Sequence, residues 1–225
     1  MKRQLKTKAL YNLDNTIAKP LLETCEYPWE ALPKIGSFIK EIGETLDENV
    51  YEKKADDIWI AKSAFIYPNN YITGPCIIGE NTEVRPGAFI RGNVIVGNNC
   101  IVGNSTELKN TILFNKVQVP HYNYVGDSIF GFASHTGAGA ITSNVKQDKT
   151  NVNLKIEELV LESGLKKFGA MLGDNVEVGC NTVMNPGTVV GKGSRIYPLT
   201  MLRGFVPANS IYKTSGELAP IKEKI

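Results

Sequence analysis

The sequence predicts an all-β chain coiled into a left-handed parallel β-helix of hexapeptide repeats, with a small N-terminal helical cap and one inserted hairpin or loop. Two periodicities and one composition carry that expectation. From Ile60 an aliphatic residue returns at every sixth position, through Ile66, Ile72, Ile78, Val84, Ile90, Val96, Val102 and Leu108. Four residues after each of the first eight stands a mostly small residue: Ala64, Asn70, Cys76, Thr82, Ala88, Val94, Cys100 and Thr106. Gly, Asn and Pro crowd the other positions, as in Gly74-Pro75, Arg85-Pro86-Gly87 and Gly97-Asn98-Asn99, which suits a tight turn every few residues. Neither a helical period nor strict alternation describes this stretch. Short strands and turns repeating in this way close into a three-sided prism, with the aliphatic residue inside and the small one at a corner.

Along the chain, residues 1–57 stand outside the repeat. There Tyr27-Pro28-Trp29-Glu30-Ala31-Leu32 leads into a short amphipathic pattern through Ile35, Phe38, Ile39 and Ile42. A helical cap is expected, because an open coil end exposes aliphatic interior and unpaired strand edges. The β-helix is expected over 58–215. Its register slips around Pro120 to Ile129, returns at Phe130, Thr136 and Thr142, and continues at Leu172, Val178, Met184, Val190, Ile196 and Leu202. The slip predicts an excursion from the coil, and excursions are where sites tend to sit. A second interruption, about 151–169, is rich in charge and is expected to be an inserted hairpin or loop. Residues 216–225 are a C-terminal tail.

Composition narrows the function classes. The 225 residues are 42% hydrophobic and 21% charged, with a net charge of +2, enough for one good core or two small ones. Lys and Arg are scattered, so no nucleic-acid footprint and no polybasic membrane anchor are expected. No stretch approaches the ~20 apolar residues of a membrane span. The opening residues lack the apolar core of a signal peptide, and the expected location is cytoplasmic. Cys25, Cys76, Cys100 and Cys180 form no CxxC, so small buried thiols are expected rather than disulfides or a zinc site.

The chemistry-bearing residues cluster from Glu107 to Thr150. They read Glu107-Leu108-Lys109, then His121-Tyr122-Asn123-Tyr124-Val125-Gly126-Asp127, then Gly137-Ala138-Gly139-Ala140-Ile141-Thr142-Ser143-Asn144. In order these are E-x-K, H-x-x-Y-x-G-D and G-A-G-x-I-T-x-N segments. They resemble the acetyltransferase half of the bifunctional glucosamine-1-phosphate acetyltransferase and N-acetylglucosamine-1-phosphate uridylyltransferase family, over roughly 58–215. The Tyr27-Pro28-Trp29-Glu30 and Lys167-Phe168-Gly169-Ala170 segments are similar to short sugar-nucleotidyltransferase-like proteins related to that enzyme.

The resemblance implies an acetyl-CoA-dependent N-acetyltransferase acting on an amino sugar 1-phosphate, glucosamine-1-phosphate or galactosamine-1-phosphate, with no metal. It makes His121 the general base that takes a proton from the sugar amine. The chemistry agrees, since an ammonium cannot attack a thioester and a neutral imidazole is a natural proton acceptor. The Ala138 amide matches the donor to the thioester oxyanion. Tyr124 matches a contact to the sugar or its phosphate, Asn144 a substrate contact, and Lys109 pairs with the phosphate. For the arginine that clamps the phosphate, Arg91 ranks first, because coil geometry stacks it over Lys109. Arg85, which sits in the R-P-G-A motif, ranks second. Departures fall at His135, where the family has a sugar-contacting asparagine, at Val145, which replaces a tyrosine, and in the shorter loop, where Lys146 or Lys149 replaces a substrate lysine. On the CoA side, Cys180 takes the place of a serine and Pro198 that of an alanine. No arginine fills the C-terminal slot, leaving Lys213 for the CoA phosphates.

No G-x-G-T-R loop occurs, and 57 residues are too few for a nucleotidyltransferase domain, so pyrophosphorylase activity is not expected. The resemblance also implies a homotrimer with sites between subunits. Three rivals stand beside this reading. A carbonic anhydrase on the same coil needs three zinc-binding histidines, and only His121 and His135 exist. The others are a non-catalytic β-helix binding or regulatory module, and an acyltransferase for another amino sugar or a nucleotide-linked amine.

Overall fold

The computed structural model describes residues 2–221. Its repeat region is the expected left-handed parallel β-helix of the hexapeptide kind. The first face stacks Ile58–Ala61, Cys76–Ile78 and Val94–Val96, then the second halves of Glu107–Leu113 and Tyr124–Phe130, then Ala170–Leu172, Thr188–Val190 and Phe205–Val206. The second face stacks Phe65–Ile66, Glu83–Val84, Ile101–Asn104, Gln118–His121, His135–Thr136, Glu177–Val178, Arg195–Ile196 and Ser210–Tyr212. The third stacks Tyr71–Thr73, Phe89–Arg91, the first halves of the two long strands, Ile141–Thr142, Val183–Met184 and Met201–Leu202.

The hexad residues fill the prism. Ile78, Val84, Ile90, Val102, Leu108 and Leu172 have no exposed surface. Asparagine recurs at the corners because the backbone there turns left-handed. Asn81, Asn93, Asn99, Asn110, Asn175, Asn181 and Asn209 all have φ between 48° and 58°, a region asparagine tolerates better than most residues.

The register slip is not an excursion. Coils advance by 18 residues from Ile58 to Cys76 to Val94, then by 17 from Val94 to Thr111 to Ser128. The missing residue falls at one corner, where single residues, Asn110 and then Asp127, do the work of Gly92-Asn93. Two five-residue steps, Leu108 to Leu113 and Val125 to Phe130, thus replace six-residue ones, and the strand runs on through the corner as Glu107–Leu113 and Tyr124–Phe130. The chain leaves the coil only after Ile141–Thr142. It forms the antiparallel hairpin Asn153–Ile156 with Leu159–Glu162 and rejoins at Ala170–Leu172.

The N-terminal segment is helical as expected, but it lies along a side rather than over an end. Helices α1 (Thr7–Leu10), α2 (Lys19–Glu23) and α3 (Ile35–Gly43) alternate with 3₁₀ turns, and α3 packs on three successive coils of the first face. The outward side chains of that face, Ile77, Ile95, Ile112, Ile129 and Met171, are fully buried beneath the segment. Each contributes about 1.5–3 kcal/mol by burial. Polar ties fix the position. The Asp174 carboxylate accepts from the backbone N–H of Asn12 at 2.7 Å and of Phe132 at 2.9 Å, and Trp29 stacks on Phe168 at 5.3 Å. The N-terminal open edge of the first face is covered instead by the strand Tyr51–Ala55, antiparallel to Ile58–Ala61. At the other end, Leu218–Pro220 pairs antiparallel with Ser210–Tyr212, and tail residues 222–225 lie outside the described residues.

Candidate functional site

Two neighbouring groups of residues form the candidate site, one on the corner between the second and third faces and one on the third face itself. Each coil places one residue at the same point of that corner: Asn104, His121, Ala138, Cys180 and Pro198 in succession. The ladder fixes this stacking, since His121 pairs with Asn104, Gly139 N donates to the His121 carbonyl, Asn181 N to that of Ala138, and Leu199 N to that of Cys180. Successive members are therefore about 4.8 Å apart. His121 is exposed, and its Nδ1 lies 3.4 Å from Asn104 Oδ1. An Nδ1–H donated there leaves Nε2 as the basic nitrogen, and Nε2 has no partner among the described residues. Nor does the Ala138 N–H, one level beyond the imidazole.

The corner is built to hold this shape. Buried Asn123 donates to the carbonyl of Gly137 at 2.8 Å and accepts from His121 N at 3.2 Å, bracing the turn from His121 to Tyr124. Gly103 has no tolerance for a side chain, because a Cβ there would overlap the Pro120 carbonyl of the next coil.

Round the corner, the third face gathers Arg91, Glu107, Lys109, Tyr124, Asp127 and Asn144. Asp127 is the hub, with its side chain 5% exposed. Its carboxylate meets Lys109 Nζ at 3.3 Å and Asn110 Nδ2 at 2.9 Å, and also accepts from Asn144. Asn144 Nδ2 lies 3.2 Å from the Tyr124 hydroxyl, and Arg91 pairs with Glu107 at 2.6 Å. Burial, reinforced by Asp127 and Glu107, pushes the Tyr124 phenol above its ordinary range, so it stays protonated and can donate. The Glu107 hydrogen bond and charge raise Arg91 further.

The residues singled out from sequence thus divide. Arg91, Lys109, Tyr124 and Asn144 come together on the third face. His121, Ala138, Cys180 and Pro198 share the corner. Arg85 does not join them, since it lies on the second face against Glu83 at 3.1 Å. His135 also faces out from the second face, with Nδ1 2.9 Å from Glu177. Lys213 is engaged by Glu217 at 2.9 Å. Cys180 is exposed, unlike the buried Cys25, Cys76 and Cys100, because its corner position looks outward. Sequence reasoning missed Asp127 as the hub and Asn104 as the imidazole's partner. Asp127 stood in the quoted motif, and Asn104 is found by counting one coil back from His121. Among the described residues, no cluster of three or more His, Cys, Asp or Glu is placed to hold a metal, and no helix is long and apolar enough to cross a membrane.

These features define a class: a hexapeptide-repeat β-helix with a histidine corner and a third face of paired charges. The chain belongs to the family of the GMPPB C-terminal domain, whose model matches residues 72–190. It is also similar to the bifunctional protein GlmU of Methanococcus aeolicus, 33% identical over 213 residues, covering 85% of this chain and 51% of that protein. The similarity read from the motifs is therefore borne out. The bifunctional sugar-1-phosphate nucleotidylyltransferase/acetyltransferase of Sulfurisphaera tokodaii is 31% identical over 107 residues, 48% of this chain and 27% of that one. The chain thus spans about half or less of the length of these curated relatives. Among solved structures, the acetyltransferase domain of PglB from Neisseria gonorrhoeae, in complex with acetyl coenzyme A, matches with a TM-score of 0.39 and 14% identity over 73% of this chain and 57% of that one.

Proposed function

We propose that the chain is an acetyl-CoA-dependent N-acetyltransferase whose acceptor is an amino sugar 1-phosphate, with His121 as general base. The observation that carries this reading is the His121 imidazole, held through Nδ1 by Asn104, one coil from the unpaired Ala138 N–H. An acyl transfer needs those two elements at that separation: a base for the attacking amine and a donor for the developing oxyanion. His121 Nε2 takes the proton of the sugar amine as its nitrogen bonds to the acetyl carbon. The Ala138 N–H stabilises the oxyanion. The C–S bond then breaks, and the thiolate of CoA recovers the proton from His121.

The third face suits the phosphate. Lys109 and Arg91 would exchange Asp127 and Glu107 for phosphate oxygens, and the protonated Tyr124 would donate to the acceptor. Sugar 1-phosphate chemistry is also in the printed name of the Sulfurisphaera relative. Cys180 and Pro198 continue the corner beyond Ala138 and would line the pantetheine arm. The reading includes a homotrimer.

The test is thiol release from acetyl-CoA with glucosamine-1-phosphate and, separately, galactosamine-1-phosphate. Turnover with either sugar that falls by about 10²–10⁴ in His121→Ala, with unchanged folding, supports the reading. A folded protein with no turnover on either sugar removes this acceptor class.

A further inference from the structure

The hairpin insert does not lie flat on the coil. Between it and the C-terminal half of the third face runs a groove of about 960 Å³. Lys155 and Asn153 line one wall, and Asn185, Met201 and Arg203 line the other. The wall is anchored to the coil by its inner side chains. Leu154 and Ile156 are buried against the coil, Val152 packs on Gly187, and alternation along the strand turns Asn153 and Lys155 outward.

We propose that this groove binds the diphosphate of coenzyme A, with Arg203 and Lys155 as its cations. The inference rests on the reading of the chain as an acetyl-CoA-dependent transferase and assigns the donor's nucleotide end to residues outside the family motifs. Charge is the first support. Arg203 and Lys155 have no carboxylate within ion-pair distance among the described residues, whereas Lys146 in the same groove is paired with Asp148 at 3.2 Å and Lys213 with Glu217 at 2.9 Å. Two uncompensated cations on facing walls are a receptor for a polyanion, and a guanidinium can grip phosphate oxygens bidentately.

Position is the second support. On the third face, Ser143, Asn185 and Arg203 occupy one edge in successive coils, and Ile141, Val183 and Met201 occupy the other. Those three apolar side chains are exposed, and they lie between the groove and the corner that carries Ala138, Cys180 and Pro198. An arm starting at the Ala138 amide therefore crosses an apolar strip and reaches Arg203 two coils on, about 10 Å along the axis. The cations assigned to the acceptor, Arg91 and Lys109, lie on the opposite, N-terminal side of His121. Donor and acceptor phosphates are thus kept apart, and the groove falls to the donor.

Calorimetric titration of the full chain with CoA, pantetheine, ADP and UDP tests this. CoA affinity should fall about tenfold in Arg203→Ala and in Lys155→Ala, and further in the double variant. Pantetheine affinity should not change. Both residues are exposed, and thermal melting should match the wild type. CoA binding unaltered in both variants, or weakened only by Lys213→Ala, overturns the assignment and leaves the transferase reading intact. Binding of UDP in place of ADP and CoA, lost with Arg203, gives the groove to an acceptor nucleotide and also overturns it. A wild-type chain that binds no CoA removes the transferase reading and the groove's role together.

Discussion

The Lys109 ammonium lies 3.3 Å from the Asp127 carboxylate, and that carboxylate also holds Asn110 and Asn144. One buried acid therefore sets the position of a cation and two amides on a face whose other polar groups are half-exposed. It also keeps Lys109 extended across the third face, ready for an anion that can compete.

Lys109→Ala should raise the acceptor KM by about 10–100-fold, the value of a charge-assisted hydrogen bond to phosphate, with a much smaller change in kcat. Asp127→Ala should instead act on folding, because it strands two amides and a partly buried ammonium. A loss of about 2–3 kcal/mol in urea denaturation is expected. An unchanged midpoint would show that the hub is not holding the face together.

Asn104→Ala should lower kcat/KM about tenfold with little effect on stability, since it removes the partner that selects the His121 tautomer and orients the ring. Asn104→Asp keeps an acceptor at Nδ1 and should recover most of the rate. Equal losses in both variants would mean that Asn104 does not act through the imidazole.

The coil was legible in the sequence because its interior takes an aliphatic residue at most sixth positions, with Phe130, Thr136 and Thr142 buried in the same register. The five-residue steps were not, since a corner closed by Asn110 or Asp127 alone reads only as a broken register. The side-on packing of the N-terminal helices left a usable trace. On the first face the outward positions Ile77, Ile95, Ile112, Ile129 and Met171 are apolar in coil after coil and are fully buried. His121, Tyr124, Lys109 and Ala138 were found through motif order. Coil counting alone ranks Arg91 over Arg85, and the structure adds that Arg85 lies on the second face against Glu83.

The four cysteines should divide one to three. Burial pushes the Cys76 and Cys100 thiols up to about 12, Cys25 is also raised by burial, and Cys180 is exposed. A disulfide reagent at neutral pH should modify one thiol quickly and the rest only on unfolding, with Cys180→Ala removing the fast phase. The same shifts predict alkaline weakening. A thiol whose folded pKa exceeds its unfolded value contributes fully below about pH 9, and the contribution fades as pH rises towards 12. Melting temperature should fall across that window, and the Cys76→Ala/Cys100→Ala pair should flatten the fall. Buried Tyr11, raised in the same direction, leaves a residual slope.

Trp29 links the N-terminal segment to the third face. It is 3% exposed, lies between Tyr27 at 4.7 Å and Phe168 at 5.3 Å, and closes the point where the insert rejoins the coil. Phe168 N donates to the Asn144 carbonyl at 2.9 Å, so the backbone that presents Asn144 to Tyr124 and Asp127 is held by the main chain of the residue whose ring Trp29 covers. Trp29→Ala should cost about 3–5 kcal/mol, the usual price of emptying a buried aromatic site. Among molecules that remain folded, the acceptor KM should rise, because Asn144 is freed while His121 and the corner are untouched. Trp29→Phe retains a stacking ring and should recover most of both effects. If Trp29→Ala loses stability but keeps the wild-type KM, the segment is a clamp on the first face and has no hold on the site.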